Sequence, residues 1–575
     1  MSKIIGIYAI PDCGTFQYPG FTHDHSICIM EDGVITDYLQ LERYSGRKYD
    51  NRLPVFIDEM IDSGLVQMNS DDIIVAVNSF LGQSFISHNG SFRVEALSPQ
   101  KIDPELQKTH CSVTRGWDRQ EQQAFIISHE LAHIGANLPF SGEFQENSLL
   151  IHFDGGASLS NFSAFVFKNG QLKLIEAHWQ LSHLSKIFND NALSFALINA
   201  APGEHCSVPG KFMGFATLGT PRPEIIAWLK KNRMFATLWE NKQPFFASAK
   251  RHFGWQEQKF DTHDPFLQDI AASLQAIFQE EFIAKLAQLQ ENFRCDYLYL
   301  AGGCALNIVM NTEILHKRLF TKIFIPPCSG DSGLSIGAAA YYSWRNGIRV
   351  QKQRPYLNSI NCDLKGHYPN DQKLVRQLAK LIAAGHIIGI ANGNGEVGPR
   401  ALGNRSIICR PDSRELSQKL SMAMKGREWY RPIAPIMLEK HAKRYTGQSK
   451  IDTLSQYMLL DFQIVADLQH EIAGVVHRNG TARIQTIFQR EDHPFMFDLL
   501  VELENHYGIF ALINTSFNSR GKPIVHTKED ALLSAREMKL DAVVIDYQLM
   551  LVTELHRMPM ADFSSSRPQP ATMAS

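Results

Sequence analysis

Two apolar runs that each stop at a pair of glycines constrain this chain more than any other feature. They are Leu149-Leu-Ile-His-Phe-Asp-Gly-Gly156 and Asp296-Tyr-Leu-Tyr-Leu-Ala-Gly-Gly303. Each reads as a buried strand entering a turn without side chains, where backbone amides can approach a phosphate or an adenosine. One such turn is commonplace. Two of them, about one lobe apart, point to a duplicated α/β architecture that clamps ATP between lobes. Gly155, Gly156, Gly302 and Gly303 are then candidate cofactor-binding residues, together with Asn307 at the start of the helix that follows.

The beginning of the chain fits that scheme. Ile4 to Ala9 reads as a strand, a Gly/Pro loop leads to the strand ending at Met30, and Glu31-Asp-Gly33 is a hairpin turn of the Asp-Gly type. Strand, loop, strand, turn and strand is how actin- and hexokinase-like ATPase lobes begin. His23 and Asp24 fall where the first loop would meet phosphate, although they serve equally well to cap that loop. A chain of 575 residues exceeds one core, so two large domains are expected. The small-residue helix from Gly333 to Tyr341 closes the first domain, residues 1–350. A polar, turn-rich stretch from Arg345 to Tyr368 marks the boundary, and residues 351–562 alternate strand and helix signals as a second α/β domain. The Ser/Pro-rich tail, residues 563–575, is expected to be disordered.

Composition excludes several classes. A net charge of −2 argues against a general nucleic-acid binder. Nine cysteines without CxxC pairs indicate neither a zinc ribbon nor a disulfide framework, which suits reduced thiols in the cytoplasm. The first strand is too short for a signal peptide, and no apolar run approaches the length of a membrane span.

Residues 124 to 134 read as a helix carrying His129 and His133 four positions apart, close enough to share one ion. His129-Glu-Leu-Ala-His133 also spells the His-Glu-x-x-His of zinc proteases. A protease is rejected because it would leave the glycine turns and the arginine loops without a role.

Those arginine loops are the second chemical signal. Glu396-Val-Gly-Pro-Arg-Ala-Leu-Gly-Asn-Arg-Ser406 and Met424-Lys-Gly-Arg-Glu-Trp-Tyr-Arg-Pro432 bring Arg400, Arg405, Lys425, Arg427 and Arg431 within a few dozen residues, spaced by Gly and Pro rather than by acids. Fixed cations on such loops suit phosphate, carbamoyl phosphate or a nucleotide. Ala511-Leu-Ile-Asn-Thr-Ser-Phe-Asn-Ser-Arg-Gly-Lys-Pro-Ile524 adds a strand that ends in compact donors, among them Asn514 and Ser516. Pro209-Gly-Lys-Phe-Met-Gly214 reads by itself as a loop with an exposed lysine, Lys211.

These stretches resemble the O-carbamoyltransferases of the nodulation-factor, cephalosporin and aminoglycoside type, in that family's motif order from His23 to Asp530, with Val397 in place of an aromatic. The resemblance implies an N-terminal duplicated actin/hexokinase-like ATPase-type domain and a C-terminal YrdC-like α/β domain. It implies Asp331, in Pro326-Pro-Cys-Ser-Gly-Asp-Ser-Gly333, as a third metal ligand beside His129 and His133, with iron(II) favoured over other divalent metals. It further implies ATP with Mg and carbamoyl phosphate as substrates, a carbamoyl-adenylate, and transfer to a hydroxyl-bearing acceptor. For Pro209 to Gly214 it implies a loop whose Lys211 reaches a nucleotide or carbamoyl oxygen. Arg400, Lys425, Arg431 and Ser516 would form the adenylate, and His23 or Asp24 would position or deprotonate the acceptor. The acceptor pocket is expected within Asn89 to Asp118 and Phe235 to Asp264. A threonylcarbamoyl-type transferase acting on tRNA and a non-catalytic metal- and nucleotide-binding regulator are the competing readings; a homodimer is an admissible assembly.

Overall fold

The computed structural model describes residues 2–9, 22–78, 84–95, 101–115, 118–201, 204–236, 238 and 241–551. The loop of residues 10–21 and the expected tail of residues 563–575 lie outside them, as do parts of both stretches assigned to the acceptor pocket. Three mixed sheets carry an α/β fold.

The duplication is written in strand order. In the first unit β1 (Ile4–Tyr8), β2 (Ser26–Glu31), β3 (Val34–Gln40), β4 (Ile73–Val77) and β5 (Asp118–Ile127) lie side by side as 3-2-1-4-5. In the second, β6 (Ser148–Phe153), β7 (Phe162–Lys168), β8 (Gln171–His178), β9 (Tyr297–Ala301) and β10 (Lys322–Phe324) repeat it as 8-7-6-9-10. The first three strands of each unit are antiparallel neighbours and the last two run parallel to the first. Asp32 and Gly33, both at positive φ, make the tight turn from β2 to β3 that their sequence predicts.

Three expectations change here. The two glycine turns do not sit in separate lobes: β6 and β9 are adjacent parallel strands of one sheet, so both turns emerge side by side at one sheet end. Residues 124 to 127 belong to β5, paired with β4, and the helix begins only at His129, because an apolar run of four buried in a parallel sheet is continuous rather than alternating. Lys211 lies on a helix, Val208–Ala216, that Pro209 can open because its missing N–H falls in the first turn.

The third sheet contains β11 (Ile388–Ala391), β12 (Arg405–Cys409), β13 (Ala434–Leu438), β14 (Gln485–Ile487), β15 (Ala511–Ser516), β16 (Ala542–Ile545) and β17 (Gln548–Leu551), ordered 14-13-15-12-11-16-17. Two short strands of the C-terminal half leave it: Tyr356–Asn358 pairs with β3 and with Gly395–Glu396, extending the first sheet. One apolar core runs from the second N-terminal unit into the third sheet, with Tyr430 edge-on to Phe215 at 5.2 Å. No helix among the described residues is long and apolar enough to cross a membrane.

Small residues set the spacing of the first two units. Helix α1 (His129–Gly135) crosses helix α2 (Leu334–Arg345) at glycines: a methyl on Gly337 would fall 1.7 Å from the Ala132 carbonyl oxygen, and one on Gly135 2.3 Å from that of Gly337. Against β1, a methyl on Gly6 would meet the Ser335 carbonyl oxygen at 2.0 Å. These are backbone contacts that cannot yield. Gly337→Ala is therefore expected to destabilise the fold by about 1–3 kcal/mol or more through overpacking. The control is Gly210→Ala, where the new methyl meets nothing within 4 Å. Thermal unfolding of both variants checks this; equal midpoints would refute the spacing argument.

Candidate active site

The close helix crossing brings α1 and the residues preceding α2 to the end of β6. Ser128 caps α1 by accepting from the Leu131 N–H at 3.2 Å, and fixes where the helical register of its histidines starts. His129 and His133 place their Nε2 atoms 3.0 Å apart. Asp331 Oδ1 stands 3.7 Å from the first and 3.5 Å from the second. The Tyr8 hydroxyl, from β1, donates to Asp331 Oδ2 at 2.7 Å and orients the carboxylate. The predicted ligand triad is thus assembled in space.

Two members of this cluster went unread in the sequence. Asp154 Oδ2 lies 3.5 Å from His133 Nε2 and accepts from the Gly303 N–H, while its Oδ1 accepts from the Gly155 N–H at 2.5 Å. The glycine turns therefore hold a carboxylate as well as offering amides. His152, two residues earlier, is the other, so that His133, His152 and Asp154 form a second group of metal-competent donors. The signal was present: positions i and i+2 at the end of a strand share a face.

The electrostatics favour the ligand forms. Burial pushes His129 down to about 3, although Asp331 opposes it, and His152 is likewise lowered, first by burial and then by His133. Burial would raise Asp331, but His23, His133 and His129 outweigh it and hold the carboxyl far below the usual range. Asp154 is raised by burial and by Asp331. Neutral imidazoles beside an ionised carboxylate are the donor set of a divalent transition metal. Glu130 takes no part in it. Its Oε1 accepts from the backbone N–H groups of Leu159 and Ser160 at 2.8 and 3.1 Å, so the His-Glu-x-x-His string lacks a protease's general base.

A second cluster gathers cations from both halves of the chain. The Lys425 ammonium donates to the Ser516 carbonyl and to Asn518 at its carbonyl (2.8 Å) and Oδ1 (2.9 Å); Ser516 Oγ donates to that Oδ1 at 2.6 Å. Burial lowers the Lys425 pKa, and Arg427, Lys48 and Arg431 lower it further. Arg427 is pushed down to about 9 by desolvation, Arg431 and Arg400, and Arg400 to about 10 by desolvation and Arg431. Arg483 is lowered by desolvation and by Arg400, Arg427 and Arg431. Six cations thus repel one another, and all but Lys425 keep partial contact with solvent. Such an arrangement is unfavourable until an anion occupies it. Arg405 is not among them: its guanidinium turns inward onto the carbonyls of Asn392, Gly393, Asn404 and His526. Lys48 and Arg483 arrive from segments remote in sequence.

The remaining candidates divide. His23 Nδ1 lies 3.0 Å from Asp24 Oδ2, and Asp24, at φ 57°, accepts from the Gln40 amide at 2.9 Å. The charge of His23 reaches Asp331 and His129, and its ring is 6.3 Å from that of Tyr49, which in turn lies in the field of Arg431. His23 and Tyr49 thereby stand between the two clusters. Lys211 is held by Glu204 and Glu428, each at 2.9 Å, and bridges the halves. Asn307 caps a helix through the Met310 N–H (3.0 Å), and Asn514 is committed to Ala401 and Gln485. A methyl on Gly155 would meet Asn189 Nδ2 at 2.0 Å and one on Gly302 the Phe153 carbonyl oxygen at 2.2 Å; Gly156 and Gly303 have more room.

Comparison with known proteins agrees with this chemistry. The family model "Carbamoyltransferase N-terminus" matches residues 13–340 and "Carbamoyltransferase C-terminus" residues 379–551. The chain is 25% identical to Nodulation protein NolNO of Sinorhizobium fredii, over 92% of this chain and 79% of that protein. It is 34% identical to Nodulation protein U of Azorhizobium caulinodans, over 39% of this chain and 40% of that one. An uncharacterised Synechocystis protein is 26% identical over 95% and 96% of the two chains. Among solved structures, the Acidaminococcus fermentans (R)-2-hydroxyglutaryl-CoA dehydratase component A overlaps 60% of this chain and 99% of its own at 12% identity, with a TM-score of only 0.31. With more than half of its length matched by the N-terminal model alone, the chain belongs to the carbamoyltransferase family and is a carbamoyl-transferring enzyme.

Proposed function

We propose that this enzyme is an ATP- and carbamoyl-phosphate-dependent O-carbamoyltransferase that works in two steps at two joined sites. The observation that carries the proposal is the clustering of Lys48, Arg400, Lys425, Arg427, Arg431 and Arg483 within one another's electrostatic reach, linked through Tyr49 and His23 to the His129–His133–Asp331 cluster. Polyanion chemistry belongs at the first and acyl transfer to an alcohol at the second.

In the first step water hydrolyses carbamoyl phosphate to carbamate and inorganic phosphate; a carbamate oxygen then attacks the α-phosphorus of ATP, and the bond to pyrophosphate breaks. The cations of the C-terminal half, residues 351–562, hold both phosphate groups, and Ser516 faces the carbamoyl group beside Lys425. The turn at Gly156, beside the two amides that Asp154 engages, receives the nucleotide in the N-terminal domain, residues 1–350. In the second step the acceptor oxygen attacks the carbamoyl carbon and the bond to AMP breaks; the acceptor proton passes to His23, which Asp24 orients. His129, His133 and Asp331 would hold a divalent ion, iron(II) by family resemblance, which supplies Lewis acidity when bound. Trp429, 36% exposed and stacked on His263 at 4.6 Å, marks the side on which the acceptor would approach.

Two outcomes are expected. Because the cations repel, Arg427→Met should leave the ligand-free protein as stable or more stable, while pyrophosphate stabilises wild type and fails to stabilise the variant. At a hundredfold excess over Kd that stabilisation is about 2.7 kcal/mol, read as a shift in thermal midpoint. Equal shifts in both proteins would contradict the anion site.

The second outcome concerns the division of labour. His133→Ala should still release pyrophosphate from ATP and carbamoyl phosphate but carbamoylate acceptors poorly. Arg431→Ala should fail at pyrophosphate release and recover transfer when synthetic carbamoyl-adenylate is supplied. Parallel loss of both half-reactions in both variants, without rescue, would reject two separable sites.

A further inference from the structure

The proposed reaction leaves Lys211 without a task. It is buried on the helix Val208–Ala216, and its ammonium lies between two carboxylates, Glu204 Oε1 and Glu428 Oε1, each at 2.9 Å. Gly214 and Phe215 follow at i+3 and i+4 on the same helix face. A methyl on Gly214 would meet Pro432 Cδ at 2.9 Å, and the Phe215 ring is edge-on to Tyr430. Trp429 ties the same segment elsewhere, its Nε1–H donating to Thr262 Oγ1 at 3.0 Å. The backbone that carries Glu428 and Arg431 is thus seated by contacts that do not involve the lysine.

Two cations compete for Glu428. The Arg431 N–H donates to the Glu428 carbonyl at 3.1 Å, closing a turn that sets the two side chains beside each other. Yet Arg431 Nη1 comes no nearer than 3.5 Å to Glu428 Oε2, and that oxygen is buried with no hydrogen-bond partner. Burial would raise the Glu428 carboxyl, but its bond to Lys211, with help from its own backbone N–H and from Arg431, holds it below the usual range. An ionised carboxylate beside a guanidinium ordinarily closes into a bidentate pair. Here Lys211 holds one of the two oxygens, so Glu428 cannot present both. A closed pair would cancel the charge with which Arg431 meets phosphate.

We infer that Lys211 is a positioning residue for the anion site: by holding Glu428 it keeps that carboxylate from closing on Arg431, so that Arg431 stays open to phosphate. The inference rests on the proposal that the cation cluster binds the phosphate groups of the first step. It makes Glu428 an internal competitor of the substrate, restrained by a lysine from the other half of the chain.

Pyrophosphate titrated into the full-length protein by calorimetry is the test. Lys211→Met should weaken binding at least about tenfold, a coupling typical of residues in one ionic network. Glu428→Gln removes the competitor and leaves Lys211 with Glu204, so it should bind as tightly as wild type or more tightly. The double variant should recover the affinity that Lys211→Met loses. A lysine that merely bridged the two halves would give another pattern: Glu428→Gln would weaken binding as Lys211→Met does, and the double variant would be no better than either. Unchanged affinity in Lys211→Met, weakened affinity in Glu428→Gln, or no recovery in the double variant would each overturn the inference. Should Lys211→Met fail to fold, Glu428→Gln decides by itself. Absence of pyrophosphate binding by wild type would refute the anion site and the inference with it, whereas wild-type binding with any of the three adverse results would refute the role of Lys211 alone.

Discussion

The contact on which the rest depends is the glycine crossing between the helix of His129 and His133 and the helix that follows Asp331. Gly135 and Gly337 let two backbones meet without side chains between them, and Gly6 lets the second helix lie against the first strand. Two histidines are fixed on one helix by their spacing, but the carboxylate comes from some two hundred residues away, and only this approach brings it within 3.7 Å of both. Close packing leaves such a contact no slack, because neither backbone can relax as a long side chain would. The metal-competent cluster is thus a product of small residues that never touch it.

A different balance governs the cation cluster. Like charges drawn together are unfavourable, and the protein offsets this only in part: Lys425 has Ser516 and Asn518, and Arg431 has Glu428 at 3.5 Å. Arg405, by contrast, is wholly buried with both terminal nitrogens donating to carbonyls, and Glu396 organises the same loop by accepting from the N–H groups of Leu402, Asn404 and Arg405. Within one motif, then, one arginine builds the loop while another, Arg400, keeps a buried Nε with no hydrogen-bond partner. The segment carrying this motif also extends the first sheet, so the cations are anchored to the unit that bears the His–Asp cluster.

The architecture was legible where local pattern is enough. The strands ending in glycine, the Asp-Gly hairpin and the spacing of His129 and His133 follow from residue chemistry and periodicity. The helix reading of residues 124 to 127 failed because a short buried apolar run has no period to distinguish strand from helix. Lys211 was read as a loop lysine from the family resemblance of Pro209 to Gly214, whereas proline in the first helical turn costs nothing and the stretch is helical. Arg483 could not be placed in the cation cluster, since nothing local distinguishes it from a surface cation.

The sequence by itself determined which residues share a helix face, where strands stop, and which loops concentrate positive charge, because these depend on neighbours along the chain. Tertiary structure decided what meets what. It placed both glycine turns on adjacent strands of one sheet, turned Glu130 away from its flanking histidines toward Leu159 and Ser160, and added Asp154 and His152 to the ligand cluster. The physical reason is common to all of these. Periodicity fixes a side chain's direction relative to its own element, while its partners are set by how elements pack across hundreds of residues, and here that packing is governed by glycines whose importance shows only at the point of contact.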